Sequence, residues 1–279
     1  MKALKIALAA AALAAAGSAA AGSAAAGGKV LVVASSETQM ALRGGKSAPV
    51  GYFLNELAVP SLIMRKAGYE IDLATPKGNV PAMDKGSDSD AFFKGGISRA
   101  EARKFAASLK PITLKEALSR YGSYDGIFVP GGHAPMTDLM QDPELGQLLA
   151  KFHDDSKPIG FICHGPAAIL AAIPKSAAFR QAMAADDAGQ AMELAEGYPF
   201  KGYRMTVFSD AEEWPGEVAH ESYMPFHVED ALLNAGMNIE IAPPFTSHIV
   251  IDRELISGQN PASDEAVGNA MVQTLSKAR

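Results

Sequence analysis

The single cysteine of the chain, Cys163, stands directly before a histidine in the stretch KPIGFICHGPAAIL, residues 157–170. A thiolate is a strong nucleophile, and an adjacent imidazole can accept the proton of the thiol. The residues before the cysteine are apolar, as in a buried strand, and Gly165 and Pro166 suit the start of a helix. The pattern therefore predicts a nucleophile elbow at Cys163, a sharp strand-to-helix turn that presents the thiol.

The position of this thiol also predicts its reactivity. The N terminus of a helix favours negative charge, so the following helix is expected to lower the pKa of Cys163. The alternative is a cysteine that only fills the core, since free cysteine is among the most buried residue types. A core cysteine would more naturally lie within the strand than at its end beside histidine and glycine, which favours a reactive thiol.

Apolar segments alternate with helical patterns along most of the chain. Continuous hydrophobicity rich in valine and isoleucine indicates strands that are buried on both faces. The predicted strands are residues 29–35, 69–75, 124–130, 157–162, 203–209 and 237–242, and residues 248–258 predict two further short strands forming an antiparallel edge. The predicted helices are residues 51–68, 142–155, 163–173, 225–236 and 263–278. This alternation predicts a flavodoxin-like α/β fold, a mostly parallel sheet with helices on both faces.

Two segments interrupt the alternation, residues 79–120 and residues 174–197. Both fit insertions at the rim of the sheet. They either decorate the surface or form a small cap over a site at the strand ends, where ligands bind in open α/β sheets. No repeat or linker divides the chain, so residues 27–279 are expected to form a single domain.

The first 26 residues have the layout of a secretory signal peptide. Lys2 and Lys5 precede an apolar run, and Gly-Ser-Ala repeats with several small-residue cleavage options follow. The apolar run is shorter than the ~20 residues that a membrane span needs. The segment therefore predicts an exported protein, periplasmic or secreted, with no membrane span after the signal is removed.

Composition and charge indicate the class of protein and the kinds of partner that it can bind. Of the 279 residues 48% are hydrophobic and 20% are charged, as in an ordinary globular protein. The formal charge is −6, with acidic and basic residues interspersed, so the sequence offers no basic stripe and predicts no nucleic-acid partner. With one cysteine, no disulfide can form within the chain.

Several stretches together resemble the ThiJ/PfpI superfamily, whose fold is related to class I glutamine amidotransferases. They are FVPGGHAPMTDL, ICHGPAAIL, MTVFSDAEE and LISGQNPAS. The stretch GYFLNELAVPSLIMRKAGYEIDLATPKG further resembles the larger, capped branch of stress proteins, which includes chaperones and glutathione-independent glyoxalases, also called glyoxalase III or D-lactate dehydratase. The resemblance runs from Lys29 to the C terminus.

The resemblance implies a set of catalytic residues. Cys163 matches the family nucleophile, and His164 matches the adjacent histidine. Glu213 matches the acidic residue that orients the histidine, with Glu212 and, more weakly, Asp210 as alternatives. Glu56 matches the buried glutamate that touches the cysteine, and a carboxyl group in an apolar setting tends to stay protonated near neutral pH.

The resemblance also implies an oxyanion site. Gly131 and Gly132 match the loop whose backbone amide would act with that of His164, and His133 would line the substrate pocket or be satisfied at a helix start. No cofactor is implied. His220 and His227 are seven residues apart but form no HExxH pattern, so no metal site is predicted.

The implied activity is conversion of methylglyoxal or a related small carbonyl compound to a hydroxy acid through a hemithioacetal of Cys163. The alternatives are a stress holdase that binds unfolded proteins, and a cysteine-dependent hydrolase or amidotransferase. For the latter, only FHVED, residues 226–230, has the His-x-Glu spacing, and it lies in a helical pattern. A low-pKa cysteine could also sense oxidants. The resemblance implies a homodimer.

Overall fold

The computed structural model describes residues 27–278, so the predicted signal peptide lies outside the described residues. The strands are β1 Lys29–Val33, β2 Gln39–Ala41, β3 Ser47–Pro49, β4 Glu70–Thr75, β5 Pro111–Thr113, β6 Gly126–Val129, β7 Ile159–Ile162, β8 Arg204–Met205, β9 Asn238–Ile239, β10 Ile249–Asp252 and β11 Leu255–Gly258. The helices are α1 Leu54–Lys66, α2 Arg99–Ser108, α3 Leu114–Ser119, α4 Pro143–Asp154, α5 Ser176–Ala184, α6 Ala188–Leu194, α7 Asp210–His220, α8 Val228–Asn234 and α9 Asp264–Lys277.

A seven-stranded sheet in the order β10-β11-β7-β6-β1-β4-β5 forms the centre of the fold. All neighbouring pairs are parallel except β10 with β11, which are antiparallel. The chain winds outwards on both sides of β1, so the crevice outside the carboxyl ends of β1 and β6 is a topological switch point. The predicted mostly parallel α/β sheet with an antiparallel edge is confirmed.

Both faces of the sheet are buried because alternate side chains of each strand point to opposite sides. On β1, Leu31 and Val33 belong to the apolar cluster that includes α4, whereas Val30 and Val32 belong to the cluster that includes α9. On the second side, α1 and α9 pack closely at Gly268, where a Cβ atom would lie 2.9 Å from the Cα of Pro60. Helices therefore cover both faces, as continuous hydrophobicity predicted.

Three predicted elements differ from the structure. The segments 203–209 and 237–242 contribute only β8 and β9, which pair with each other in a separate two-stranded sheet. Beyond β8, the N–H of Thr206 donates to the side-chain hydroxyl of Ser257 and not to a backbone carbonyl of β11. This part of the chain therefore does not pair with the central sheet. The helix predicted over 163–173 is a 3-10 helix over residues 165–172.

The two insertions occupy different places in the fold. Within 79–120, β5 adds an edge strand that the sequence did not reveal, because it has three half-buried residues and begins at Pro111, which cannot donate to a ladder. The loop 91–97 lines a cavity described below. In contrast, helices α5 and α6 bury Phe179 and Ala191 in the main apolar cluster, so they extend the core. Within residues 27–278, no helix is long and apolar enough to cross a membrane.

Candidate active site

Cys163 occupies a strained turn at the carboxyl end of β7. Its φ angle is +59°, the left-handed region that residues other than glycine rarely adopt. The conformation is held on both sides, since the N–H of Cys163 donates to the Gly258 carbonyl at 2.9 Å and its own carbonyl accepts from Phe208 at 3.0 Å. Strain of this kind concentrates at functional sites. The structure thus has the elbow geometry that the sequence predicted.

A hydrogen-bonded chain runs from this thiol to a carboxylate. The Sγ atom of Cys163 lies 3.2 Å from Nδ1 of His164, and Nε2 of His164 lies 2.6 Å from Oε2 of Glu213. An ionised carboxylate only accepts hydrogen bonds, so Nε2 of His164 carries the proton and Nδ1 faces the thiol as an acceptor. His164 is 2% exposed and Glu213 is 9% exposed, so water competes little with this chain of contacts.

Glu213, rather than Glu212, contacts the histidine. The carboxylate of Glu212 accepts from the backbone N–H and hydroxyl of Ser209, forming the capping box of α7, and from the side chains of Gln259 and Asn260. Asp210 instead pairs with His227. The spacing Ser-x-x-Glu from residue 209 to residue 212 is a capping-box signature. That sequence signal could have assigned Glu212 to the helix start.

His133 also binds Glu213, a contact that sequence reasoning missed. Its Nε2 atom lies 3.0 Å from Oε1 of Glu213, and its ring centroid lies 4.1 Å from that of His164. The ring centroid of Phe208 lies 4.7 Å from that of His164. His133 was expected to line the substrate pocket or to be hydrogen-bonded at a helix start. It directly precedes a short 3-10 helix over 134–136, but its side chain makes no capping hydrogen bond there.

The two imidazoles and their shared carboxylate alter each other's protonation. Although burial alone would raise it, the pKa of Glu213 is held far below its usual range by His164 and His133. Burial and the neighbouring His133 lower the pKa of His164. Burial alone would lower the pKa of His133, but Glu213 outweighs this effect and raises it. Glu213 is therefore ionised, and His133 accepts a proton more readily than His164.

Glu56 lies fully buried beside the thiol, on the first turn of α1. Burial raises its pKa to about 8, while the Cys163 thiol and the N–H of Gly131 act in the opposite direction. Neither carboxyl oxygen makes a hydrogen bond of standard geometry within residues 27–278. The group is therefore protonated at neutral pH, as its apolar sequence context indicated, and it can give a proton to a charge that develops nearby.

The expected lowering of the cysteine pKa is wrong for the resting site. Burial raises the pKa of the Cys163 thiol well above its usual range, and the Glu56 carboxyl acts in the same direction. The N–H of Gly132 lowers it but does not compensate. The sequence argument failed because the thiol is only 3% exposed, and desolvation outweighs the field of a short 3-10 helix. The resting cysteine is thus a neutral thiol.

The glycine pair after β6 forms a close-fitting wall of the site. Gly132 has a φ of +79°, and a Cβ atom there would lie 2.1 Å from the Gly51 carbonyl oxygen. A Cβ atom on Gly131 would lie 2.5 Å from Glu56 and 2.7 Å from the Cβ of Cys163. Only glycine allows the backbone to approach so closely. The Gly132 N–H acts on the thiol and the Gly131 N–H acts on Glu56, so both amides reach the reacting region.

A cavity of about 730 Å³ lies against α1 at Val59, and its lining residues do not include Cys163, His164, Glu213 or Glu56. Its walls include Phe92, Phe93 and Ile97 from the first insertion, together with Phe245 and residues 260–266. The Nδ2 atom of Asn55, the neighbour of Glu56, donates to Asp264 on this wall at 2.8 Å. The first insertion therefore contributes one wall of this cavity, and its role as a cap over the active site stays a prediction.

Two groups of side chains within residues 27–278 bring possible metal-ligating atoms within 4.8 Å of one another. In one, both histidines already bind Glu213, and in the other His227 lies 3.0 Å from Asp210 and 3.0 Å from Glu217. These contacts occupy Nε2 of His133 and of His164 and both ring nitrogens of His227, and we assign no metal. His227 is also the histidine of the FHVED stretch, and its pairing with Asp210 and Glu217 gives no support to an amidotransferase triad.

Comparison with known proteins supports the sequence resemblance. A family model described as ThiJ/PfpI family-like matches residues 48–194, more than half of the chain. The chain belongs to this family. The protein/nucleic acid deglycase HchA of Pseudomonas aeruginosa (strain UCBPP-PA14) is 28% identical over 262 residues, covering 90% of this chain and 81% of the relative. The HchA deglycase of Staphylococcus aureus (strain Newman) is 26% identical over 254 residues, covering 88% and 80%.

A solved structure with the same fold is glyoxalase III from Candida albicans. It superposes with a TM-score of 0.66 at 19% identity, covering 88% of this chain and 96% of that protein. The similarity in fold therefore extends over most of the chain. The family resemblance inferred from the four short motifs is confirmed, and it reaches well beyond them.

Proposed function

We propose that this protein is a cofactor-independent, glyoxalase III-like deglycase that releases a hydroxy acid from methylglyoxal or from its adducts. The observation that carries the proposal is the chain from Cys163 through His164 to Glu213, with the protonated Glu56 beside the thiol. The HchA relatives are named as deglycases, and the Candida structure is named as a glyoxalase III. These names agree with the chemistry that the four side chains can perform.

The first step is addition of the thiol to the aldehyde carbon. The thiol proton passes to Nδ1 of His164, the Cys163 sulfur bonds to the carbonyl carbon, and Glu56 protonates the resulting alkoxide. The product is a hemithioacetal, and Glu56 is left as a carboxylate. The Glu213 carboxylate stabilises the imidazolium of His164 while the N–H of Gly132 faces the reacting centre.

The second step moves hydrogen between the two carbonyl carbons. The Glu56 carboxylate removes the proton from the carbon bonded to sulfur while the His164 imidazolium protonates the neighbouring carbonyl oxygen, which gives an enediol. Glu56 then returns its proton to the neighbouring carbon, and the hydroxyl on the first carbon gives its proton back to His164 as the thioester carbonyl forms. The first carbon is thereby oxidised and the second is reduced, so no external oxidant is needed. Water then cleaves the thioester, with His164 transferring protons, to yield the hydroxy acid and the free thiol.

The names of the HchA relatives support a substrate larger than free methylglyoxal, and we assign the remainder of such a substrate to the cavity against α1. The cavity volume of about 730 Å³ lies within the range of pockets that hold drug-sized ligands. An adduct would place the carbon that carries the amine at Cys163 and its carrier in the cavity. The Cys163 sulfur would bond to that carbon as the C–N bond breaks, the amine would leave with the proton that His164 took from the thiol, and the resulting hemithioacetal would give lactate by the second step and hydrolysis. Because the relatives are named as acting on protein and nucleic acid, the exclusion of nucleic acid from charge alone is not justified.

The proposal is tested by deglycation of a defined small adduct. Methylglyoxal is reacted with an N-acetylated amino acid, excess aldehyde is removed, and recovery of the free amine and of lactate is followed with and without the protein. We expect equal amounts of both products with wild type and neither with Cys163→Ala. Amine recovery without lactate would mean that the protein only traps free aldehyde, and would contradict the proposed hydrolysis.

We propose, in addition, that the protein acts outside the cytoplasm. Residues 1–26 support this through their basic start, short apolar run and small-residue repeats. Mass spectrometry of the N terminus of protein purified from its native cells provides the test. A mature chain beginning near residue 22 or 27 is expected, and an intact N terminus in the cytoplasmic fraction would refute export. The homodimer and the holdase activity stay predictions.

A further inference from the structure

His133 and His164 meet on one carboxylate at the centre of the site. Nε2 of His164 lies 2.6 Å from Oε2 of Glu213, and Nε2 of His133 lies 3.0 Å from Oε1. Since the ionised carboxylate accepts both bonds, both imidazoles carry a proton on Nε2. Each oxygen is thus used by a different ring, and neither histidine can turn without releasing Glu213.

The other nitrogens of the two rings differ in their surroundings. Nδ1 of His164 faces the Cys163 thiol at 3.2 Å in a side chain that is 3% exposed. Nδ1 of His133 has no hydrogen-bond partner within residues 27–278, and its side chain is 28% exposed. A proton from solvent can therefore reach His133 without breaking any bond, whereas protonation of His164 disturbs its contact with the thiol.

We propose that His133 is a positioning residue for the proposed reaction: it holds Glu213 and carries the positive charge of the pair, so that His164 stays an uncharged acceptor for the thiol proton. The two ring centroids are 4.1 Å apart, so a charge on one ring opposes a charge on the other. This inference rests on the proposed function. It replaces the expectation that His133 contacts substrate.

Other charged and titratable groups also act on this pair of rings. They are Asp84, Glu213, Glu217 and His227, together with Cys163, which contacts Nδ1 of His164, and Glu56, which lies beside Cys163. Asp84 and Glu217 raise the pKa of His133, and His227 lowers that of His164. These groups therefore favour the same distribution of charge, with the proton on His133.

The test uses His133→Gln, which keeps a neutral donor near the position of Nε2, and His133→Leu, which removes the donor. His220→Gln on the exposed face of α7 is the control. Imidazole NMR resonances are titrated in each protein, and alkylation of Cys163 by iodoacetamide is followed against pH. Both readouts need no substrate, so they stay interpretable even if the proposed enzymatic activity fails.

In His133→Gln, we expect the His164 resonance to titrate at higher pH than in wild type, and the Cys163 alkylation profile to shift with it. In His133→Leu, kcat should fall roughly tenfold or more, with a smaller change in KM, because Glu213 loses one of the two hydrogen bonds that fix its position. Superimposable His164 titrations in wild type and His133→Gln would overturn the proposal. A raised KM with unchanged kcat and alkylation would also overturn it, by indicating substrate contact.

Discussion

Cys163 and His164 are neighbours in the chain, yet their side chains lie 3.2 Å apart in one hydrogen-bonded contact. Adjacent residues of a regular strand point to opposite faces, so this contact requires the left-handed turn at Cys163. The turn is held by bonds to Gly258 and Phe208 from two other segments. The geometry of the nucleophile therefore depends on the tertiary fold as well as on the local sequence.

Replacing Glu213 and Glu212 should have opposite consequences. Glu213→Gln should lower kcat by ~10²-fold or more, because an amide cannot stabilise the imidazolium of His164. Glu212→Gln should keep the hydrogen-bonded chain from Cys163 to Glu213. It should lower the free energy of unfolding by ~2–4 kcal/mol, because its NH2 group would face the buried donors from which the Glu212 carboxylate accepts. Steady-state kinetics and urea denaturation of both variants check the pair. Equal activity in the two variants would contradict the assignment.

The pH dependence of stability should report the buried state of Glu56. Its folded pKa of about 8 exceeds its ordinary value of 4.5, so between these values the folded protein binds more protons than the unfolded chain. The free energy of unfolding should therefore fall as pH rises through this range, by roughly 1.4 kcal/mol for each pH unit between the two pKa values. Glu56→Gln should remove this component.

Urea denaturation of wild type and Glu56→Gln at pH 6 and pH 9 provides the measurement for Glu56. The stability difference between the two proteins should move in favour of the variant at the higher pH. A difference independent of pH would mean that Glu56 is already ionised in the folded protein, and its role as proton donor to the alkoxide would then fail. The variant should also be nearly inactive, since an amide cannot transfer the carbon-bound proton.

Gly132→Ala should impair both folding and catalysis. The left-handed φ angle costs a residue with a Cβ atom ~1–2 kcal/mol, and the new atom meets the Gly51 carbonyl oxygen. The loop must shift, which moves the N–H that faces the thiol. Thermal unfolding and kcat measure the two effects. Gly122→Ala, where no atom lies within 4 Å of the added Cβ, is the matched control and should behave as wild type.

Phe93→Ala should separate adducts from free methylglyoxal. The ring lines the cavity, so its loss should raise KM for an adduct on an N-acetylated amino acid several-fold while leaving free methylglyoxal unchanged. Val80→Ala, at a 75% exposed site in the same insertion, is the control. Equal changes for both substrates would show that the cavity does not hold the carrier.

The sequence was sufficient to predict features that depend on the order of neighbouring residues. The apolar run before Cys163, followed by glycine and proline, was enough to place the elbow. The alternation of strands and helices was enough to predict a mostly parallel α/β sheet, although it missed β5 and included the segments of β8 and β9. The sequence could not predict contacts between distant segments, such as the bond from His133 to a glutamate 80 residues away. The family resemblance favoured Glu213 over Glu212, and the capping-box spacing from Ser209 to Glu212 is the sequence signal that could have supported this choice.

The protonation states were the least predictable feature. A helix N terminus after Cys163 suggested a lowered thiol pKa, but burial and Glu56 reverse the direction. Burial of a side chain is a property of the folded molecule, and no local pattern near residue 163 encodes it. Glu56 was easier to predict because its own neighbours on α1 are apolar.

The most direct test follows D-lactate formation from methylglyoxal in the absence of glutathione, using purified protein with a reduced thiol. Lactate itself is measured, because aldehyde also disappears by reaction with lysine and arginine side chains. The account predicts D-lactate with wild type and none above background with Cys163→Ala of matched stability. Absence of lactate with wild type, or equal lactate with both proteins, would contradict the claim that Cys163 performs glyoxalase chemistry.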